Sequence, residues 1–194
     1  MSEVHGNEVQ ARSQVGPDAD AVLGFWFGLE PNRHWAKDPA LDAEIAKRFG
    51  AMRDAVIASG AEGWRDRPDT LLAAIILIDQ FSRNIHRDTA EAFAGDDLAA
   101  ALTLQAIEKG WDLRYPAARR AFAYMPLMHA EDAPLQDVSV AKFEALGDAA
   151  NLKFAREHRD VIRQFGRYPS RNAALGRQST SAEDVYLSQP DAGW

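Results

Sequence analysis

Eight consecutive apolar residues, Leu71 to Ile78, run without a turn signal into Asp79-Gln80-Phe81-Ser82-Arg83-Asn84. A helix that is apolar all round must be buried on most sides, so this segment belongs at the centre of a domain. It is far too short to cross a bilayer. Its polar sequel is unusual there, because a carboxylate or guanidinium drawn into such surroundings has to be paired. The four-residue spacing sets Asp79 with Arg83 and Gln80 with Asn84 on adjacent stripes.

The flanking sequence reads as helices around that centre. Asp18-Ala19-Asp20 caps a short helix carrying the aromatic cluster Phe25, Trp26 and Phe27, and Asp38-Pro39 starts another with the stripe Leu41, Ile45, Phe49, Met52 and Val56. Further helices open at Asp96-Asp97, Pro116, Pro134 and Asp148, with Pro126 expected to break or kink the one before it at Met125, and a short capped helix runs from Ser179 or Thr180 to Leu187. No segment alternates apolar and polar residues between turn signals, so strands find no support. The expectation is an all-α chain of seven or eight main helices, paired as antiparallel hairpins, in one domain over 18–188 between a disordered tail, 1–17, and a frayed end, 189–194.

The chain is 46% hydrophobic, which excludes a disordered or collagen-like protein, and it holds no cysteine, which excludes thiol chemistry, zinc–thiolate sites and disulfides. Its net charge of −7 has the wrong sign for a surface that holds nucleic acid, so any anion is held locally. Its start is polar and of mixed charge, without a secretory leader, so a cytoplasmic setting with no membrane partner is expected.

Three loci could carry chemistry. The first is Asp79, Gln80, Arg83 and Asn84, read either as a polar pocket wall or as an ion pair that secures a helix end. The second is the window 153–177, with seven basic against two acidic side chains. There Arg156, Arg159 and Arg163 fall on a solvated helix face, whereas Arg167, Arg171 and Arg177, with Asn172, follow the helix in a loop and suit a carboxylate or phosphate through forked hydrogen bonds. Tying that loop to helix carbonyls is as good an account of them. The third is His129 and Glu131 after Pro126, together with His158 on an apolar face. These could do acid–base work beside Asp79 or Glu131, but they lack metal-site spacing. No nucleophile elbow, Walker loop or dinucleotide fingerprint is present.

Val22-Leu23-Gly24-Phe25-Trp26-Phe27-Gly28, Asp79 to Asn84, Met125-Pro126-Leu127-Met128-His129-Ala130-Glu131 and Phe165-Gly166-Arg167-Tyr168-Pro169-Ser170-Arg171-Asn172 with Leu175-Gly176-Arg177 together resemble the bacterial family known as domain of unknown function 924. The resemblance spans about Ala19 to Leu187. It implies an all-helical, tetratricopeptide-like superhelix of helix hairpins with no assigned activity. Ser82, Ala130 and Ser170 stand where that family usually has proline, serine and histidine. Were that last histidine a catalytic base, its loss would favour binding over catalysis here. Ser82-Arg83-Asn84 and Ser170-Arg171-Asn172 also echo one another.

The expected function is therefore binding rather than catalysis: a small anionic ligand or peptide carboxylate held by Arg83, Arg167, Arg171 and Arg177, oriented by Gln80, Asn84, Asn172 and the histidines, with Asp79 holding Arg83. No cofactor or metal is expected. The rivals are a hydrolase-type enzyme with His129 or His158 as base and Glu131 or Asp79 as its partner, and a scaffold for a protein partner with no small-molecule site.

Overall fold

The computed structural model describes residues 2–190 and 192–193, with side chains from Gln14 onward; Met1, Asp191 and Trp194, and with them parts of both expected tails, lie outside the described residues. It is all-helical, with no strand among the described residues. No described helix is long and apolar enough to cross a membrane.

The central helix is α3 (Pro68–Ile75), continued through a π-helical turn, Ile76–Phe81, into α4 (Ser82–Ile85). Every side chain from Leu71 to Ile78 is fully buried. Each of its leucines and isoleucines contributes about 1.5–3 kcal/mol on leaving water. Around it pack α1 (Ser2–Phe27), α2 (Pro39–Ala58), α5 (Asp96–Glu108) and α6 (Ala117–His129). From α6 the chain continues into α7 (Ala133–Leu146) and α8 (Ala149–Phe165), each packed on the one before, and closes with α9 (Ser181–Leu187).

The helix starts follow the expected side-chain chemistry. Asp38 accepts from the amides of Ala40 and Leu41 with Pro39 behind it, Asp132 and Asp148 cap α7 and α8, and Thr180 forms a reciprocal capping box with Glu183. Gly147 and Gly166 end α7 and α8 at φ of 75° and 71°, a left-handed conformation that glycine adopts without cost.

Three details depart from the sequence reading. The helix placed from Asp18 runs from Ser2 and includes Pro17. Pro126 does not end α6, which continues to His129. There the amide of Gln136 lies within hydrogen-bonding reach of the carbonyls of Leu127, Met128 and Ala130, while the Tyr168 hydroxyl donates to Met128. Side chains from α7 and the segment after α8 thus serve carbonyls that a helix end leaves without amide partners. Finally, the central helix does not stop at its polar residues but widens there. A π turn inserts an extra residue, which re-aims the side chains on it. Phe81 packs against Phe25, Trp26 and Phe49, with ring centroids 6.1, 5.5 and 5.1 Å apart, while Asp79 and Gln80 meet α6.

Candidate functional site

A hollow of about 630 Å³ lies where the end of α4, the end of α6, α8 and the segment after α8 converge. Asp79 stands behind its wall, fully buried. One carboxylate oxygen, Oδ1, lies 2.7 Å from His129 Nδ1 and 3.2 Å from Arg83 Nη1; the other, Oδ2, accepts from Gln80 Nε2 at 2.6 Å. Burial alone would raise the Asp79 pKa, but the neighbouring imidazole of His129 and guanidinium of Arg83, with the hydrogen bonds from His129 and Gln80, outweigh it and hold the carboxyl well below the usual carboxylate range. An ionised carboxylate only accepts, so His129 Nδ1 is the donor in this contact, and Nε2 is the ring nitrogen turned away from Asp79. Among the described residues Nε2 has no hydrogen-bond partner.

Two guanidiniums flank this pair. Arg83 donates to the Asp79 carbonyl at 2.9 Å and to Asp96 Oδ2 at 2.9 Å. Arg171 donates to the same Asp96 oxygen at 3.0 Å and, through Nη2, to the carbonyl of His129 at 2.8 Å. Its guanidinium carbon lies 4.6 Å from the centre of the Phe93 ring and 4.5 Å from that of Tyr168, so its plane is fixed by stacking as well as by hydrogen bonds. Burial and then the charge of Arg83 lower the Arg171 pKa.

His158 completes the inner wall, its ring 6.3 Å from that of His129. Its Nδ1 donates to the Phe154 carbonyl at 2.8 Å, and burial, reinforced by His129, pushes its pKa down to about 3, so the ring is neutral at physiological pH. Burial raises the Tyr168 hydroxyl pKa, so it does not ionise.

The sequence-predicted residues divide into two groups. Gln80, Arg83, Asn84, His129, His158 and Arg171 line the hollow, with Asp79 directly behind. Arg167, Asn172, Arg177 and Glu131 do not line it. Arg167 forks onto Glu183 at 2.6 and 2.8 Å, Arg177 forks onto Glu131 at 2.6 and 2.9 Å, and Glu131 also accepts from the amide of Tyr168. Asn172 accepts from Arg177 and donates to Ser179. These groups tie the loop after α8 to the turn after α6 and to α9, through carboxylates rather than through the helix carbonyls of the alternative account. Nor does Gln80 pair with Asn84: Asn84 donates to Asp42 instead, at 2.7 Å.

The family model for bacterial proteins of unknown function, DUF924, matches residues 22–191. The chain belongs to this family. No curated protein is similar to it. Among solved structures, a protein of unknown function from Agrobacterium tumefaciens is similar, with 35% sequence identity, a TM-score of 0.85, and coverage of 89% of this chain and 98% of that one. The DUF924 match takes in α2 to α9 and every residue of the hollow named above.

Sequence reasoning missed several contributors. Asp96 reads only as an acidic helix start, and nothing in its context distinguishes a carboxylate that joins two guanidiniums. Lys37, Arg87, Trp35 and Phe154 reach the hollow from loops and from the rim of α8. Only tertiary packing brings them there.

Proposed function

We propose that this chain binds a small organic anion with an apolar body. One observation carries the reading: Lys37, Arg83, Arg87 and Arg171 line the hollow, whereas Asp42, Asp79 and Asp96, the carboxylates that pair with the arginines, stand behind the wall. Asp88 also lines the hollow and lies 3.9 Å from Lys37 at its exposed side, so the donors that the face offers in fixed positions are those of the arginines. Arg171 spends two hydrogen bonds on the protein, out of the five N–H groups of a guanidinium, so donors remain for a carboxylate or phosphate. Backing carboxylates cancel much of the net charge, so recognition rests on directed hydrogen bonds more than on long-range attraction.

The apolar half of the reading comes from Trp35 and Phe154, which line the hollow yet are 62% and 43% exposed, and from Phe93, Met125 and Met128 deeper in. Large rings left open at the mouth of a cationic hollow suit the body of an amphiphilic anion. The proposal keeps the tetratricopeptide-like order of helix hairpins and the cytoplasmic setting.

Thermal denaturation with benzoate and phenyl phosphate, against neutral benzyl alcohol, tests it. The anions should raise the Tm and the alcohol should not. Arg171→Ala, or Arg87→Gln if the first variant does not fold, should lose the response. Absence of any anion effect on the wild type, or an unchanged response in the folded variant, contradicts the reading.

A further inference from the structure

The histidines of the hollow are not used alike. His34 has both ring nitrogens against backbone carbonyls, Nδ1 at 3.1 Å from Pro31 and Nε2 at 2.9 Å from Trp26, as a ring serving structure does. His129 has only Nδ1 engaged, by a fully buried carboxylate, and lines the hollow with its other nitrogen unbonded. Its main chain is fixed as well, because Arg171 holds its carbonyl and the last turn of α6 is secured by Gln136 and Tyr168. A buried carboxylate that fixes the tautomer and orientation of an imidazole, leaving Nε2 to face a cavity, is the arrangement by which a histidine accepts a proton from a reacting group.

Glu131, the other carboxylate near in sequence, is occupied by Arg177 and the amide of Tyr168, which leaves Asp79 as the partner of His129. Among the described residues, no side-chain nucleophile is placed for His129. The chain has no cysteine, Ser82 is fully buried against Arg53, and the Tyr168 hydroxyl donates to Met128. Among the described residues, Ser170 lines the hollow but makes no hydrogen bond to His129. The hollow opens to solvent past Trp35, so water is the nucleophile at hand.

We propose that His129, positioned by Asp79, acts through Nε2 as a general base that activates water against a carboxylic ester whose separate anionic group is held by Arg83 and Arg171. This rests on the anion-binding reading and assigns a reaction to the same hollow. Nε2 takes a proton from water as the water oxygen bonds to the ester carbonyl carbon, and the carbonyl electron pair moves onto its oxygen beside Arg171. The adduct then collapses: the bond to the alcohol oxygen breaks, Nε2 returns its proton to that oxygen, and a carboxylic acid and an alcohol leave. The imidazole is regenerated with no other reactant. His129 is the catalytic residue, and Asp79 is a positioning residue.

The mono-4-nitrophenyl ester of succinic acid is a suitable probe, since it carries a free carboxylate and an aromatic leaving group that reports its own release. Wild-type protein should release 4-nitrophenolate faster than buffer does and should favour this ester over uncharged 4-nitrophenyl acetate. His129→Ala should lower kcat by about 10²–10⁴-fold and regain part of its rate on addition of imidazole. Asp79→Asn should lower kcat more than it changes KM. His129→Gln replaces His129→Ala should the alanine variant not fold. No turnover by the wild type, or equal turnover without His129, overturns the hydrolytic proposal while a benzoate response leaves anion binding standing. Loss of the benzoate response in the wild type removes the binding reading instead.

Discussion

Arg83 and Arg171 donate to the same oxygen, Oδ2 of Asp96, at 2.9 and 3.0 Å. Each is the middle residue of a Ser-Arg-Asn triplet, one at the end of the central helix and one after α8. Two like charges stay together in the protein interior because carboxylates lie beside them, Asp96 between the two and Asp79 against Arg83. Asp96→Asn removes the charge between the two while nearly keeping the shape. Losing one partner of a buried ionic cluster costs about 3–5 kcal/mol, and urea denaturation should show a loss on that scale. A loss below about 1 kcal/mol would mean that Asp96 does not hold the two arginines together.

Gly95 governs how Asp96 reaches them. Its φ is −103°, so glycine is not required there for backbone conformation, but a Cβ at this position would run into Cγ2 of Ile78 and lie 3.1 Å from Cδ1 of Ile57. The start of α5 therefore approaches the π turn closely because residue 95 has no side chain. Ile78 is fully buried and β-branched, and it cannot step aside. Gly95→Ala should destabilise by about 1–3 kcal/mol through overpacking and weaken the thermal response to benzoate, because Asp96 moves with the helix start. An alanine variant of wild-type stability would show that the approach is not tight.

The neutral His158 gives the fold an acid-sensitive element. Its folded pKa lies below that of an unfolded histidine, so the unfolded chain binds the extra proton first. Stability from this group is complete above about pH 6.5 and is lost as the pH falls towards about 3. For one proton the slope is at most about 1.4 kcal/mol per pH unit. His158→Gln should flatten the decline in Tm between pH 6.5 and 4 relative to wild type. Parallel curves for the two proteins would contradict this role.

Much of this arrangement is legible in the chain. The apolar run from Leu71 to Ile78 fixes the centre, and the four-residue spacing of Asp79 and Arg83 gives a pair that the structure contains at 3.2 Å. The Ser-Arg-Asn echo points to two segments that do meet. What local pattern does not carry is partner choice across the fold. Arg167, Arg171 and Arg177 look alike in sequence, yet Glu183 and Glu131 take the outer two and only Arg171 turns inward between Phe93 and Tyr168. The π turn has no sequence signature either, since Ile76 to Phe81 are ordinary helix residues; what the structure adds is that Phe81 and Asp79 meet different neighbours there. Asp96 and Lys37 are invisible for the same reason.

The central claim is that an organic anion sits in the hollow between Arg83, Arg171 and His129. Titrating uniformly ¹⁵N-labelled protein with benzoate and following amide and arginine side-chain shifts by NMR tests it most directly. Saturable shifts should gather at Arg83, Phe93, His129 and Arg171, and Arg171→Ala should abolish them. Shifts absent at saturating benzoate, or gathered instead around the surface furrow lined by Val15, Gly63 and Arg67, would contradict the account.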